Sequence, residues 1–400
     1  MRLKKQTIYD VNLRRKRVLV RVDYNVPLDK DFNVLDKTKI IGSLETINYL
    51  LKKKCKVILM SHMGRPKGEV VESKRLWPAG KVLSELLKKP VKILDDCVGS
   101  EVENAINNIK RGQIILLENL RFHPGEENND PEFSKKLASY GEIFVQDAFG
   151  TAHRAHASTV GVTEHLPSVA GLLVDKEFTY LRMTLKKPER PFLLVLGGAK
   201  VSSKIGIIDA LLPKIDTLLI GGGMCYTFLK ALGYEIGNSL LEVEKIDEAK
   251  KIMAHAKEYG VDLILPEDFI VTDSLNPPGA PRVVEAMNIQ DGDIGVDLGP
   301  RSILKFEEAI IPAKTVFWNG PMGVFEVTDY SKGTYEIARY LSDLRTFTVV
   351  GGGESATVVN DLKLSDKFQH VSTGGGATLK FIEGHDMPAL DVLDDLVDND

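Results

Sequence analysis

Four apolar segments in the second half of this chain end in two or three consecutive glycines, and this pattern strongly constrains the fold. The segments are LLVLGGAK (193–200), TLLIGGGM (217–224), FTVVGGGE (347–354) and HVSTGGGA (370–377). Short apolar runs that end in glycine are typical of buried parallel strands followed by tight turns. Glycine at the carboxyl end of a strand lets backbone N–H groups approach a phosphate closely. We therefore predict an α/β region shaped for a nucleotide.

The apolar runs of the first half end instead in charged or imidazole side chains. They read VLVRVDYN (18–25), VILMSHMGR (57–65), ILLENLRF (115–122) and VQDAFGTAHR (145–154). Because ligands of open parallel sheets bind at the carboxyl ends of the strands, these side chains are expected to converge. Arg21, Asp23 and Asn25 alternate along the first run and so share one face. Side chains of this kind suit a small, multiply charged anion.

The size and composition of the chain indicate a globular protein with more than one core. At 400 residues, with 43% hydrophobic and 27% charged residues, two domains are expected. No run approaches 18 uninterrupted apolar residues and the start has no signal-peptide pattern, so we expect no membrane span. The three cysteines, Cys55, Cys97 and Cys225, are scattered without metal-ligand spacing, which favours reduced thiols in a cytoplasmic protein.

The net charge of −4 is divided unevenly along the chain. Residues 1–170 hold 29 Lys and Arg against 21 Asp and Glu, so they carry +8 and the remainder carries −12. A nucleic-acid-binding protein could show such a basic half. However, the basic runs LRRKR (13–17) and LKKKCK (51–56) are short and lack interleaved aromatic residues, so solvated faces explain them better. We expect no nucleic-acid partner.

Strand and helix signals alternate along both halves, which predicts doubly wound parallel sheets. Helical spacing of apolar residues marks 38–53 and 78–89, and a helix over 175–187 has an acidic first turn and a basic last turn. Pro188 and Pro191 then stop this helix. The predicted fold is α/β, with two Rossmann-like domains, each of three αβα layers, joined by a hinge helix. The predicted parts are residues 1–172, a hinge over 173–190, residues 191–380, and a tail over 381–400.

The glycine-rich turns lack both the P-loop pattern and the dinucleotide fingerprint. Phosphates must therefore be held in another way. Lys200 and Lys204 lie four residues apart and would share one face if a helix begins there. Together with glycine N–H groups they suit a transferring phosphoryl group. Glu354 follows a glycine turn and could hold Mg²⁺ bound to nucleotide phosphates.

At these residues the chain resembles the phosphoglycerate kinase family nearly from end to end. The matching motifs are VRVDYNVP, SHMGRPKG, LLENLRFHPGEE, DAFGTAHRAHAS, LGGAKVSSKI, GGGMCYTFLKALG, WNGPMGVFE, VVGGGES and VSTGGGAT. The resemblance implies reversible, Mg²⁺-dependent phosphoryl transfer from 1,3-bisphosphoglycerate to ADP, giving 3-phosphoglycerate and ATP. It also implies a cytoplasmic, hinge-bending monomer whose first domain binds phosphoglycerate, whose second binds nucleotide, and whose tail packs back on the first.

The resemblance assigns roles to residues of this chain. The expected phosphoglycerate ligands, with Arg21 added from its position on the strand face, are Arg21, Asp23, Asn25, Lys39, His62, Arg65, Arg121 and Arg154. The expected nucleotide ligands are Gly198, Lys200, Lys204, Gly222, Gly223, Gly295, Asn319, Pro321, Glu326, Gly352, Gly353, Glu354 and Ser355. The expected catalytic residues are Lys39, Lys200, Lys204, Gly375 and Gly376, and Glu354 is the expected Mg²⁺ ligand.

Three residues depart from the family pattern. Lys39 stands where the family usually has an arginine counted as catalytic, which keeps the charge but loses the planar fork. Glu354 and Ser203 each stand where the family usually has aspartate. Two alternatives stay open on the sequence: a nucleotide-binding homologue that has lost catalysis, and a different two-lobed small-molecule kinase.

Overall fold

The computed structural model describes residues 4–396, which divide into two compact units. The first contains residues up to Thr179 together with those from His385 onward, and the second is Tyr180–Gly384. Each unit is built on a six-stranded parallel sheet with helices on both sides, which confirms the predicted fold class. Among residues 4–396, no helix combines the length and the apolar character needed to cross a membrane.

The first unit has one parallel sheet whose strand order is β3-β4-β2-β1-β5-β6. Its strands are β1 (Arg17–Arg21), β2 (Lys56–Met60), β3 (Val91–Ile93), β4 (Ile114–Leu116), β5 (Ile143–Gln146) and β6 (Ser168–Ala170). Its helices are α1 (Thr38–Gly42), α2 (Leu44–Lys52), α3 (Trp77–Leu87), α4 (Ser100–Asn108), α5 (Pro124–Glu127) and α6 (Pro131–Ala138). The central strands are apolar on both faces and buried, as expected where helices cover a parallel sheet.

The helix predicted over 38–53 is divided at Ser43 into α1 and α2. The Ser43 hydroxyl donates to the carbonyl of Ile40 at 2.8 Å and also bonds the Tyr24 hydroxyl at 2.9 Å. A serine side chain that bonds its own helix backbone competes with the regular ladder. The apolar periodicity continues through this point, so the sequence pattern shows one helix where the structure has two.

The second unit has a parallel sheet of strand order β15-β14-β13-β7-β8-β9 and a separate antiparallel sheet of order β11-β10-β12. Its strands are β7 (Phe192–Leu196), β8 (Thr217–Ile220), β9 (Asp262–Ile264), β10 (Asp268–Thr272), β11 (Arg282–Glu285), β12 (Ile294–Leu298), β13 (Thr315–Asn319), β14 (Phe347–Gly351) and β15 (His370–Val371). Its helices are α8 (Ile205–Leu211), α9 (Cys225–Ala231), α10 (Ile246–Tyr259), α11 (Pro300–Ile310), α12 (Lys332–Asp343), α13 (Gly353–Asp361) and α14 (Gly376–Ile382). The antiparallel sheet was not predicted, because β11 is largely exposed and lacks a continuous apolar run.

Helix α7 (Leu172–Lys186) holds the point at which the chain passes from the first unit to the second. This division lies inside the predicted hinge segment, 173–190. The bounds given for the separate parts of the chain stay a prediction.

The end of the chain packs in the first unit. Its last helix is α15 (Pro388–Asp391), and Leu390 in this helix and Leu393 just after it are buried. The backbone N–H of Asp394 donates to the Ser168 carbonyl at 2.9 Å. The last residues of the predicted tail, 397–400, lie outside the described residues.

Candidate active site

The second unit carries two adjoining cavities at the carboxyl edge of its parallel sheet. The strand order reverses at β7, where β8 lies on one side and β13 on the other. A reversal of this kind opens a crevice between the loops that leave neighbouring strands. The loops after β7, β8, β14 and β15 contain the four glycine-rich segments, and glycines from each of these loops line the two cavities.

The larger of these cavities, about 320 Å³, has the shape and chemistry of a nucleoside pocket. Of the predicted ligands, its walls include Gly198, Gly222, Gly223, Gly295, Pro321, Glu326 and Glu354. Apolar side chains supply the rest of its lining, notably Leu240, Phe269, Val324 and Phe325. A Cβ atom on Gly295 would lie 1.8 Å from the Tyr226 hydroxyl, so only glycine lets this wall approach the tyrosine.

The smaller cavity, about 260 Å³, is polar and glycine-lined. Its walls include Lys204, Asn319, Gly352, Gly353, Glu354, Ser355, Gly375 and Gly376. Glu354 borders both cavities and so marks where they adjoin. A nucleoside in the larger cavity would therefore place its phosphates among these groups.

Lys204 is the cation held inside the smaller cavity. Its residue surface is 8% exposed, and its ammonium donates to the Asn319 side-chain oxygen. Asn319 in turn donates through Nδ2 to the Gly351 carbonyl at 2.7 Å, which fixes its orientation. Burial lowers the pKa of Lys204, and the carboxylate of Glu354 acts in the opposite direction. The ammonium is thus preorganised for an anion rather than dispersed in solvent.

Backbone N–H groups at two helix starts complete this cavity. Helix α13 begins at Gly353 and helix α14 at Gly376, each directly after a glycine turn. Gly375 has φ +53° and ψ −118°, a conformation that favours glycine. A Cβ atom added at Gly353, Gly375 or Gly376 would meet nothing within 4 Å, so this backbone faces open space.

Lys200 is placed differently from Lys204. Residues Val201–Ser203 form a short 3₁₀ turn and helix α8 begins only at Ile205. The expectation that both lysines share one face of a helix is therefore wrong, because no α-helical turn connects them. Lys200 is exposed and borders neither cavity, and its charge acts on the Glu242 carboxylate.

In the first unit, strand ends of β1, β2, β4 and β5 bring together a cluster of basic groups. His62 is 5% exposed, and its Nδ1 lies 3.1 Å from Arg21 Nη2. Burial is the main reason that the pKa of His62 lies well below its usual range, followed by the charges of Arg21, Arg121, Lys39 and Arg154. The shift favours the neutral imidazole, and the cations around it suit an anionic ligand.

Arg21 lies beneath this cluster and is fully buried. Its guanidinium donates to the Ser158 hydroxyl at 2.8 Å and lies 4.0 Å from the Glu126 carboxylate. Glu126 is also buried and accepts from the backbone and hydroxyl of Ser158 at 3.0 and 2.6 Å. Arg21 was predicted as a ligand of phosphoglycerate. Its guanidinium instead contacts protein groups, among them Nδ1 of His62, which is the bonding expected of a residue that orients this imidazole.

The remaining predicted ligands of the first unit line the edge of the sheet. Lys39 Nζ forms a 2.7 Å ion pair with Asp23, and Asn25 accepts from the Gly64 N–H at 2.9 Å. Arg121 is 3% exposed and donates through Nη1 to the Gly64 carbonyl at 2.7 Å. Its Nη2 is buried without a hydrogen-bond partner among residues 4–396, which leaves a donor for a ligand.

Two further predicted arginines are less buried. Arg154 is half-buried, and its charge acts on both Arg121 and His62. Arg65 is exposed on the loop that follows Gly64, and no contact ties it to the other arginines in the described part of the chain. The structure thus gathers the cluster around His62 and leaves Arg65 at its margin.

Sequence reasoning missed several residues that support these sites. Glu126 and Ser158 contact the buried Arg21, and Tyr226 and Phe269 form a wall of the nucleoside cavity with ring centroids 5.0 Å apart. Glu126 is written in the sequence as one of two adjacent glutamates after a helix-starting proline. Nothing in that pattern distinguishes the buried glutamate from its exposed neighbour.

Asp147, in the DAFG motif, is a fully buried carboxyl group whose pKa burial raises to about 7. The folded protein therefore keeps this proton up to about pH 7, whereas the unfolded chain loses it near 3.8. Its stabilising contribution is complete at low pH and is lost as the pH rises through 7. Relative to Asp147→Asn, the wild type is expected to lose about 2–3 kcal/mol of unfolding free energy between about pH 5 and pH 8. Urea unfolding at both pH values measures this difference, and parallel pH profiles would contradict it.

The residues around Glu354 fit a Mg²⁺ ion bound with nucleotide phosphates. Mg²⁺ prefers oxygen ligands and is usually held by one or two carboxylates together with phosphate oxygens and water. Glu354 supplies one such carboxylate, at the start of α13 and at the border of the two cavities. The glutamate in place of the usual aspartate leaves this donor chemistry unchanged.

A parallel sheet with glycine-rich strand ends around a buried lysine defines an α/β protein of the phosphotransferase class. The family model for phosphoglycerate kinase matches residues 8–385. The phosphoglycerate kinase of Dictyoglomus turgidum is 53% identical over 395 residues, covering 98% of this chain and 99% of that protein. That of Borrelia hermsii is 51% identical over 389 residues, covering 97% and 99%. The structure of phosphoglycerate kinase from Coxiella burnetii matches with a TM-score of 0.85 at 37% identity, covering 97% of this chain and 98% of that one. The chain belongs to the phosphoglycerate kinase family and is an enzyme, a transferase.

Proposed function

We propose that this chain catalyses reversible, Mg²⁺-dependent transfer of a phosphoryl group from 1,3-bisphosphoglycerate to ADP, giving 3-phosphoglycerate and ATP. The observation that carries this proposal is the buried Lys204, which lies in a glycine-lined cavity next to a nucleoside-sized pocket. The relatives from Dictyoglomus turgidum and Borrelia hermsii are both named phosphoglycerate kinase. We propose further that the protein works in the cytoplasm as a monomer.

In the second unit, the chemistry is electrostatic. The apolar pocket holds the nucleoside, and the N–H groups at Gly353, Gly375 and Gly376 meet the phosphates. Lys204 neutralises charge that develops on the transferring group, and Lys200 can reach a phosphate with its flexible side chain. A Mg²⁺ ion held by Glu354 would supply further charge neutralisation at the phosphates.

In the first unit, the basic cluster binds the phosphoglycerate. Arg121 and Arg154 hold phosphate or carboxylate oxygens, and neutral His62 offers one hydrogen bond without adding charge. Lys39 and Asp23 form a pair that can reorganise around the substrate. Closure of the hinge would bring the acyl phosphate in line with ADP. It would also exclude water, which would otherwise hydrolyse the acyl phosphate.

A coupled assay of phosphoryl transfer from ATP to 3-phosphoglycerate with Mg²⁺ tests the proposal directly. Turnover typical of a metabolic kinase is expected. Absence of turnover, with ADP binding still seen by calorimetry, would overturn the proposal in favour of a nucleotide-binding homologue that has lost catalysis.

Lys39→Arg tests how the departure from the family pattern affects catalysis. Arginine restores a planar, five-donor group at a position that now offers a single ammonium. We expect kcat to be kept or raised, by up to about tenfold, because bidentate contact with an anion becomes available. The measurement is kcat and KM for 3-phosphoglycerate. A large loss of kcat would show that lysine itself is required there.

A further inference from the structure

A cluster of cysteine, histidine and aspartate lies in the first unit, outside the residues assigned to either substrate. One ligand atom each from Asp96, Cys97 and His123 lies within 4.8 Å of the other two. His123 Nε2 and Asp96 Oδ1 are 2.6 Å apart. Thiolate, imidazole and carboxylate are the three side-chain ligands that Zn²⁺ uses in proteins.

The three donors come from two segments that the fold holds next to each other. Asp96 and Cys97 lie between β3 and α4, and His123 lies just before α5. The Asp96 carbonyl accepts from the Glu118 N–H at 3.3 Å, which ties the first segment to the end of β4. The His123 ring stacks on Phe133 with centroids 5.5 Å apart and an interplanar angle of 26°. The imidazole is thus oriented by packing as well as by Asp96.

The distances fit a metal ion after small side-chain movements. Tetrahedral Zn²⁺, with bonds of about 2.3 Å to sulfur and about 2.0–2.2 Å to nitrogen or oxygen, sets its ligand atoms roughly 3.3–3.8 Å apart. The imidazole and carboxylate would separate slightly from their 2.6 Å hydrogen bond, and the thiol already lies within 4.8 Å of both. Three protein ligands leave the fourth position to water.

The Asp96 carboxylate favours a cation, and the opening beside it allows an ion to enter. The thiol of Cys97 is buried, and its pKa is raised by that burial and by the nearby carboxylates of Asp96, Glu126 and Glu118. A bound divalent ion would take the thiol as its thiolate, with the proton released to solvent, and would lie next to the Asp96 carboxylate. Asp96 is half-exposed and borders an open cavity of about 870 Å³, which provides a route for the ion.

We propose that Asp96, Cys97 and His123 form a binding site for a divalent transition-metal ion of the zinc class. The ion would join the segment after β3 to the segment that follows Arg121. Since it binds the folded protein, it is expected to raise the stability of the first unit. This site is independent of the proposed phosphoryl transfer, because none of its three ligands belongs to the substrate sites.

Titration of the metal-free, full-length protein with Co²⁺ tests the proposal, because tetrahedral cobalt absorbs in the visible range. We expect one equivalent to give intense visible bands together with a near-ultraviolet thiolate-to-cobalt band, both displaced by Zn²⁺. Cys97→Ser should abolish the thiolate band, and His123→Gln should weaken binding by about tenfold or more. Cys55→Ser and Cys225→Ser are matched controls that remove other buried thiols and should leave both bands unchanged.

A second measurement does not depend on the cysteine variant folding well. Zn²⁺ at a slight excess is expected to raise the thermal midpoint of the wild type but not that of His123→Gln, whose side chain is partly exposed. Glu354→Gln should respond as the wild type does, which separates this site from the nucleotide phosphates. The proposal would be overturned if the wild type showed no thiolate-to-cobalt band. It would also be overturned if this band persisted in Cys97→Ser. The cluster would then be only a hydrogen-bonded His–Asp pair beside a thiol.

Discussion

Replacing Lys204 with methionine is expected to lower kcat by about 10³-fold. The apolar stem of lysine is kept by methionine, while the buried ammonium next to Asn319 is lost. Removing a preorganised charge from a cavity that excludes water costs more than removing one from the surface, because no solvent replaces it. The coupled assay gives kcat, and calorimetry with ADP gives the change in nucleotide affinity.

The effect on kcat must be separated from an effect on folding. Circular dichroism and the thermal midpoint of Lys204→Met check that the second unit is intact. Lys250→Ala, at an exposed site on α10, serves as the control and should leave kcat unchanged. A loss of less than about tenfold in Lys204→Met would exclude this lysine as the main stabiliser of the transferring group.

Arg21→Met is expected to lower the unfolding free energy of the first unit by about 3–5 kcal/mol. The substitution leaves Glu126 as a buried carboxylate whose nearest cation is gone. Burial already raises the pKa of Glu126, and the charge of Arg21 is the first of the effects that lower it. Without Arg21 this pKa rises further, so the loss of stability should shrink as the pH is lowered and Glu126 takes up a proton.

The double variant Arg21→Met with Glu126→Gln tests the cause of this loss. Removal of both charges should restore a large part of the stability, because no uncompensated ion stays buried. Arg111→Met, at an exposed position, is the control and should change the unfolding free energy by less than about 0.5 kcal/mol. If the double variant is no more stable than Arg21→Met, the loss comes from packing and not from an unpaired charge. Arg21→Met should also raise KM for 3-phosphoglycerate, since His62 loses its partner.

The central parallel strands of both units were predictable because they are apolar runs that end in glycine or in a charged side chain, whereas the short strands β3 and β6 were not predicted. The apolar starts of LLVLGGAK (193–200), TLLIGGGM (217–224) and FTVVGGGE (347–354) lie in β7, β8 and β14. The antiparallel sheet of β10, β11 and β12 was not predictable from the same signal. Its strand β11 begins with two exposed residues, and the stretch before it is rich in proline. Such a strand is fixed by its partners and not by its own pattern.

The candidate sites show the same division between local and long-range information. Glycine turns are local, so the glycines predicted at the phosphates do line the two cavities. The different surroundings of Lys200 and Lys204 depend on a 3₁₀ turn and on Asn319, which lies 115 residues away from Lys204. The Lys204 and Arg21 variants described above test the roles proposed for these residues.

The sequence by itself determined the alternation of strands and helices, the glycine-rich strand ends and the membership of a kinase family. These properties follow from short-range patterns, which the chain displays directly. Only the tertiary structure decided that Arg21 and Glu126 are buried together, and that Cys97 lies beside His123. Contacts of this kind join residues far apart in the chain, and their energies come from burial and charge, which no local pattern records.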